Sequence, residues 1–238
     1  PVRSLALLLQ QADGQQWRMA MNTPPVLAVA TPQAFLEQVQ AMRADPATGK
    51  PDPARMQAFF AAHPESAAFR QWAQQHKPTS SFANSTYNSI NAFYLINAAG
   101  VRQAVRWALQ PEAAVQPLLA GATGPALLQE ELLDRLQQGP VRWQLILTLA
   151  DAADPLTDAT QAWPASRPQL HAGSLVVEQA VSQQEGACRD INFDPLILPA
   201  GIEPTADPIL QARSAAYAES FKRRTAEGAP QPARGVQL

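Results

Sequence analysis

The sequence predicts an α+β domain in which an antiparallel sheet curls into a β-barrel with helices at its periphery. Three observations carry that prediction. Short apolar segments pair across tight turns, amphipathic helical segments lie between and after them, and 22 prolines in 238 residues break the chain into many short elements. Leu5 to Leu9 reads as a strand running into the Asp13-Gly14 turn, with Trp17 to Met21 as its return. Asn22-Thr23-Pro24-Pro25 then leaves the ladder, because two prolines remove backbone donors. Thr31-Pro32 is an N-cap followed by a first-turn proline, and Phe35, Leu36, Val39 and Met42 recur at helical spacing as the core-facing stripe. After a loop at Ala44 to Pro53, short helices are expected at Ala54 to Ala62 and Glu65 to Gln75. Lys77 to Ser85 reads as coil. Ile90 to Ile96 and Val101 to Leu109 flank Asn97-Ala98-Ala99-Gly100 as a second hairpin. Ala126 to Gln138 is an amphipathic helix closed near Gly139-Pro140. Val141 to Leu149 and Leu175 to Val181 read as strands. The connection between them, Ala150 to Gly173, is long enough to be functional or to wrap a neighbouring surface. A last helix starts at Asp207-Pro208 and ends about Arg224, giving one domain over residues 1–224 and a polar tail, disordered by composition, over 225–238.

Composition excludes several classes. A chain of this length buries roughly 70–75% of its unfolded surface, so a core forms without disulfides or structural metals. Eighteen Lys+Arg against 20 Asp+Glu leave a formal −2, which makes no electrostatic case for nucleic acid. No apolar run approaches the ~20 residues of a membrane span. The single cysteine, Cys188, permits neither an internal disulfide nor an all-cysteine metal site. It fits either side of a bacterial membrane, with the periplasm favoured over the cytoplasm. HExxH, CxxC, GxSxG and glycine-rich phosphate loops are all lacking. His63, His76 and His171 are scattered and read as solvated loop residues.

The chemistry concentrates near the C-terminus. Asp207 before Pro208 makes an N-cap and first-turn pair. Arg213 and Tyr217 are four apart and share a helix face. A guanidinium beside a phenol favours the phenolate, a hard anionic oxygen ligand suited to ferric haem. Small residues Ser214, Ala215 and Ala216 between them would let a flat macrocycle approach. An arginine and a half-buried tyrosine on an ordinary terminal helix satisfy the same spacing.

The run Phe193-Asp194-Pro195 … Pro199-Ala200-Gly201-Ile202-Glu203-Pro204-Thr205-Ala206-Asp207 … Arg213-Ser214-Ala215-Ala216-Tyr217 resembles the proximal haem segment of haem catalases. The resemblance extends over nearly all the chain to about Arg224: Pro1 to Ser4 with Asp13-Gly14 and Trp17, Tyr87 to Asn97, Trp163-Pro164, and Gly173 to Val177 fall in the family's order. The Asn91-Ala92-Phe93 variant and the short spacings are nearest to the small catalase-related peroxidases. The resemblance implies a catalase-like haem domain binding haem b, with Tyr217 as proximal iron ligand and Arg213 holding it as phenolate. It implies that Asp207 and Asn91 continue the arginine's hydrogen-bond chain, Asn91 replacing the histidine of larger catalases. It further implies Asn22 as a distal residue orienting peroxide, Phe35 stacked on the distal haem face, Phe193 lining the pocket and Arg224 binding a propionate. The family's distal histidine falls upstream of the position of Pro1, so a preceding segment is expected to supply it. The implied activity is reduction of hydrogen peroxide with oxidation of small organic donors, and a homo-oligomer is compatible with it. The alternative is a haem-binding member of the fold without peroxide turnover.

Overall fold

A computed structural model describes residues 2–122, 124, 126–182 and 186–227. Among the described residues, eight strands make one antiparallel sheet: β1 (Ser4–Gln10), β2 (Gln16–Asn22), β3 (Tyr87–Asn88), β4 (Phe93–Ile96), β5 (Arg102–Pro111), β6 (Val141–Leu149), β7 (Gln169–Val177) and β8 (Ile202–Pro204). The long strand β5 is the hub, pairing with β3 at one end, β4 at the other, and β6 along its opposite edge. No ladder joins β1 to β7 among the described residues, so the sheet is a curled half-barrel. Five helices surround it: α1 (Pro32–Ala41), α2 (Pro53–Ala62), α3 (Ala67–Gln75), α4 (Leu127–Gln138) and α5 (Pro208–Glu227). No helix among the described residues is long and apolar enough to cross a membrane. The α+β architecture is the one the sequence predicts.

Period-two alternation places the core. Met19 and Met21 of β2, Val105, Trp107 and Leu109 of β5, and Val141, Trp143 and Leu147 of β6 point to one side, with Tyr87, Phe93 and Leu210. Phe93 stacks on Trp107 at 4.4 Å and Trp17 meets the same ring edge-on at 5.1 Å. A second cluster joins Ala28, Val29, Ala34 and Ala41 to Phe59 of α2 and Ile209 of α5. That cluster fastens α1 to α2 and to the start of α5.

Several expectations need correcting. The stripe Phe35, Leu36, Val39 and Met42 does not face the core; each is about half exposed, and α1 packs through Ala34 and Ala41. Short alanines let α1 lie close to Phe59, which the bulky stripe would prevent. The last hairpin strand is Gln169–Val177, not Leu175–Val181. As an edge strand paired only with β6, it buries little, so its first half carries no apolar signal. The β6–β7 connection is therefore residues 150–168, and it wraps the sheet. Arg106 of β5 donates to the carbonyls of Gln161 (2.7 Å) and Asp158 (3.2 Å) and lies over the Trp163 ring. The predicted strand over 90–96 forms only at Phe93–Ile96, because a sharp turn at Ile90 separates it from β3. α5 continues through residues 225–227; the rest of the expected tail lies outside the described residues.

Candidate functional site

The organising element is α5. Asp207 caps it as expected: Oδ1 accepts from the backbone N–H groups of Ile209 (2.8 Å) and Leu210 (3.2 Å), and Pro208 opens the first turn. Ile209, Ala212, Arg213, Ala216 and Tyr217 follow at i, i+3, i+4, i+7 and i+8, and all five line one cavity of about 390 Å³. That volume lies within the usual range for small-molecule and cofactor sites. Ala212 and Ala216 leave the helix backbone approachable, whereas Ser214 turns away to donate to Asp194 Oδ2 at 2.5 Å and Ala215 is exposed.

Arg213 and Tyr217 are joined as the spacing predicts. Arg213 Nη2 donates to the Tyr217 hydroxyl oxygen at 3.2 Å and to the Ala20 carbonyl of β2 at 2.7 Å. Arg213 Nη1 donates to Asn91 Oδ1 at 2.7 Å, and Asn91 Nδ2 donates to Asp207 Oδ2 at 2.8 Å. The order of this relay is chemically forced. A carboxylate only accepts and a guanidinium only donates, so the amide between them has one workable orientation. Asn91 and Asp207 are fully buried, 0% and 1% exposed, so the relay is shielded from water. The Ala20 carbonyl is a member that sequence reasoning missed, since no side-chain pattern marks a backbone acceptor.

The turn before Asn91 explains its aim. Ile90 has φ +66°, and the Asn91 amide donates to the Ser89 carbonyl two residues back at 2.8 Å, closing a γ-turn. A β-branched residue at positive φ costs on the order of 1–3 kcal/mol. Ser89 holds the turn by donating from Oγ to the Asn91 carbonyl and accepting there from the Trp107 amide. Ile90 itself is buried and lines the cavity.

The facing wall consists of Asn22, Leu27, Pro32 and Phe35. Asn22, at the end of β2, accepts Ser4 Oγ at Oδ1 (2.6 Å), which leaves its amide nitrogen without a partner among the described residues. Phe35 is 47% exposed at this wall, not packed in a core. Leu27, Pro32, Ile90 and the alanines of α5 were not singled out from sequence; apolar residues carry no mark of function until a cavity gathers them.

Two site residues stand apart. Phe193 is half-buried in the segment before α5 and does not line the cavity. Arg224 also lies off it, donating from Nη2 to the Ile191 carbonyl at 2.9 Å, while its buried Nε has no partner among the described residues. The three tyrosines differ sharply. Burial pushes the Tyr87 phenol up to about 12, and its hydroxyl donates to the Phe82 carbonyl. Tyr94 lies under Arg102, and Tyr217 lines the cavity. Two histidines are less solvated than expected, His63 bridging two carboxylates and His76 stacking on Trp72, whereas His171 is exposed as expected but lies on β7 rather than in a loop. None of them lines the cavity.

The curled antiparallel sheet with its surrounding helices is a fold shared with solved proteins. Catalase A from Saccharomyces cerevisiae superposes with a TM-score of 0.82 at 18% identity, over 94% of this chain and 49% of that one. A family model described as catalase matches residues 1–231, and the chain belongs to the catalase family. It is 39% identical over 226 residues to a catalase-related peroxidase of Synechococcus elongatus, covering 94% of this chain and 67% of that protein. It is 31% identical over 228 residues to another from Mycolicibacterium paratuberculosis, covering 94% and 71%.

Proposed function

We propose that this chain carries the proximal side and part of the distal wall of the haem pocket of a catalase-related peroxidase. Such a protein is an oxidoreductase that reduces hydrogen peroxide and oxidises small organic donors. Family membership and the two peroxidase relatives support the reaction class. The observation that carries the site is the Asp207–Asn91–Arg213–Tyr217 relay ending on a phenol inside an apolar cavity.

The residues present fit haem b. Tyr217 presents its oxygen from the α5 face where Ala212 and Ala216 leave room for a flat ring. Asn22 and Arg224 each keep an unmatched donor, suited to a peroxide oxygen and to a propionate respectively. When bound, the haem iron supplies the two-electron redox chemistry that cleaves the peroxide O–O bond. The protein residues do the rest. Asp207 orients the Asn91 amide, Asn91 orients the guanidinium, and Arg213 hydrogen-bonds the Tyr217 oxygen so that it holds negative charge toward the cavity. Phe35 and Leu27 exclude water from the facing side, and Asn22 offers a neutral donor there.

Titration of the 238-residue chain with haemin should give a saturable Soret band near 1:1, and Tyr217→Phe should weaken binding at least about tenfold. An identical band and affinity in Tyr217→Phe overturns the assignment. The alternative, a haem binder without turnover, has one observation in its favour: none of the three histidines lines the cavity. Peroxide consumption with and without an organic donor separates the two.

A further inference from the structure

His63 stands at the corner where α2 meets a 3-10 turn (Pro64–Ser66), and it faces two carboxylates at once. Nδ1 is 2.9 Å from Glu65 Oε1, and Nε2 is 2.9 Å from Glu37 Oε2 on α1. A carboxylate only accepts hydrogen bonds, and a neutral imidazole has one donor nitrogen. Satisfying both contacts therefore takes the imidazolium. The ring packs on Phe59 with centroids 4.5 Å apart, and the side chain is 15% exposed. Phe59 is the buried centre of the cluster that receives Ala34 and Ala41 of α1.

α1 needs such a tie. Its bulky apolar residues are half exposed, so two alanines supply most of its buried face. Glu37 lies one residue past the exposed stripe's Leu36 and is oriented from its own helix by Gln33, whose amide donates to Oε1 at 3.0 Å. Two residues of the same helix, Pro32 and Phe35, line the cavity.

We propose that His63, as the imidazolium, is a positioning residue for the cavity wall, tying α1 through Glu37 to the α2 corner and thereby setting where Pro32 and Phe35 stand. The tie is independent of what the cavity holds; only its consequence for a bound macrocycle rests on the haem reading. The charges facing His63 are Glu65 from the 3-10 turn and Glu37 from α1. α2 contributes the uncharged Phe59 ring there, its Arg55 being paired with Asp52 at the far end, and Arg70 of α3 lies over Phe60. The hydrogen bond that the ring donates to Glu65, and then the one it donates to Glu37, hold the His63 ring protonated above its ordinary range, against the opposing pull of burial. A histidine raised in the fold contributes fully below its unfolded value of about 6.5, and the contribution disappears as pH rises through the folded value. Above that point the ring keeps one donor for two carboxylates; with Glu65, the stronger partner, holding it, Glu37 faces a lone pair and α1 loses its tie.

The test uses the full chain without haem, so its failure is distinguishable from failure of the haem assignment. Nitrogen-15 side-chain spectra should show His63 staying protonated at both ring nitrogens to higher pH than an exposed histidine, with Glu37→Gln lowering its midpoint. With 4-fluorophenylalanine incorporated, the Phe35 resonance, assigned through Phe35→Leu, should shift with the His63 midpoint in the wild-type chain and not in Glu37→Gln. Amide exchange in α1, corrected for intrinsic rates, should accelerate at least about threefold above that midpoint. His63→Gln should show the faster exchange at every pH, whereas His63→Arg, charged throughout with several donors, should keep slow exchange at every pH. A purely structural packing role would not separate Gln from Arg in this way. The proposal is overturned by a His63 midpoint at or below that of an exposed histidine. A Phe35 signal indifferent to that titration, or equal α1 exchange in the Gln and Arg variants, overturns it too.

Discussion

Replacing Asn91 by leucine isolates the relay, because leucine has nearly the same size and no polar atoms. Two hydrogen bonds disappear: Asn91 Nδ2 to Asp207 Oδ2 at 2.8 Å and Arg213 Nη1 to Asn91 Oδ1 at 2.7 Å. Their remnants are unequal. Arg213 is half-buried and keeps the Ala20 carbonyl and the Tyr217 oxygen, so water recovers part of its loss, leaving about 1 kcal/mol. Asp207 is 1% exposed and its Oδ2 has no other hydrogen-bond partner among the described residues, so the loss there is about 1.5–3 kcal/mol. The apolar side chain returns about 1 kcal/mol through burial. The net expectation is a destabilisation of about 1.5–3 kcal/mol, which lowers the urea midpoint by roughly 1 M for a chain of this size. Urea unfolding followed by far-ultraviolet dichroism and tryptophan fluorescence measures it, with coincident curves required for a two-state reading. Haemin affinity should fall in the same variant, since the guanidinium is no longer aimed. A midpoint shift below about 0.3 M would mean that the buried carboxylate does not depend on Asn91, and the relay argument fails.

Gly201→Ala places a side chain at φ +85°, with its Cβ 3.2 Å from the Ile96 carbonyl oxygen; a loss of about 1–2 kcal/mol is expected, read as a fall in Tm of roughly 2–8 °C. Arg106→Met keeps the aliphatic stem but removes both hydrogen bonds to the 150–168 segment, so limited proteolysis should cut that segment at least several-fold faster than in the wild-type chain. Equal cleavage rates would show that other contacts hold it. Arg167→Ala removes the two-pronged pair with Asp154, whose side chain is 3% exposed and whose carboxyl is held below its usual range first by that arginine. A carboxyl lowered in the fold contributes stability above its unfolded value of about 3.9 and loses it as pH falls through the folded value. The gap in urea midpoint between wild type and Arg167→Ala should therefore be full at neutral pH and narrow as pH falls below about 3.9; a gap that does not change with pH refutes the linkage.

What could be read from the chain follows from the range of the interactions involved. Asp207-Pro208 and the Arg213–Tyr217 spacing act within one or two helical turns, so local rules place the cap and the shared face. The catalase resemblance orders the remaining segments, and it brings Asn91 to Arg213 across 122 residues. Other features have no local signature. The Ala20 carbonyl is a backbone group, the γ-turn at Ile90 sets a β-branched residue in a conformation its type disfavours, and edge strand β7 buries too little to show alternation. Phe193 and Arg224 stand outside the residues that line the cavity. Arg224 follows Tyr217 at seven residues, yet its guanidinium engages Ile191, and only its unmatched Nε remains for an acidic group.

α1 carries the argument furthest, because its periodicity is correct and the face inferred from it is not. Spacing identifies an amphipathic helix but says nothing about which surface waits for it. Here the approach to Phe59 is tight, so the alanine face packs there and the bulky stripe stays half exposed. The stripe is not scattered: it begins at Phe35 in the cavity wall and continues along the helix through Val39 and Met42. The sequence signal for a core stripe and the structural signal for a binding wall thus fall on the same residue, Phe35, and only the packing of Ala34 and Ala41 distinguishes them.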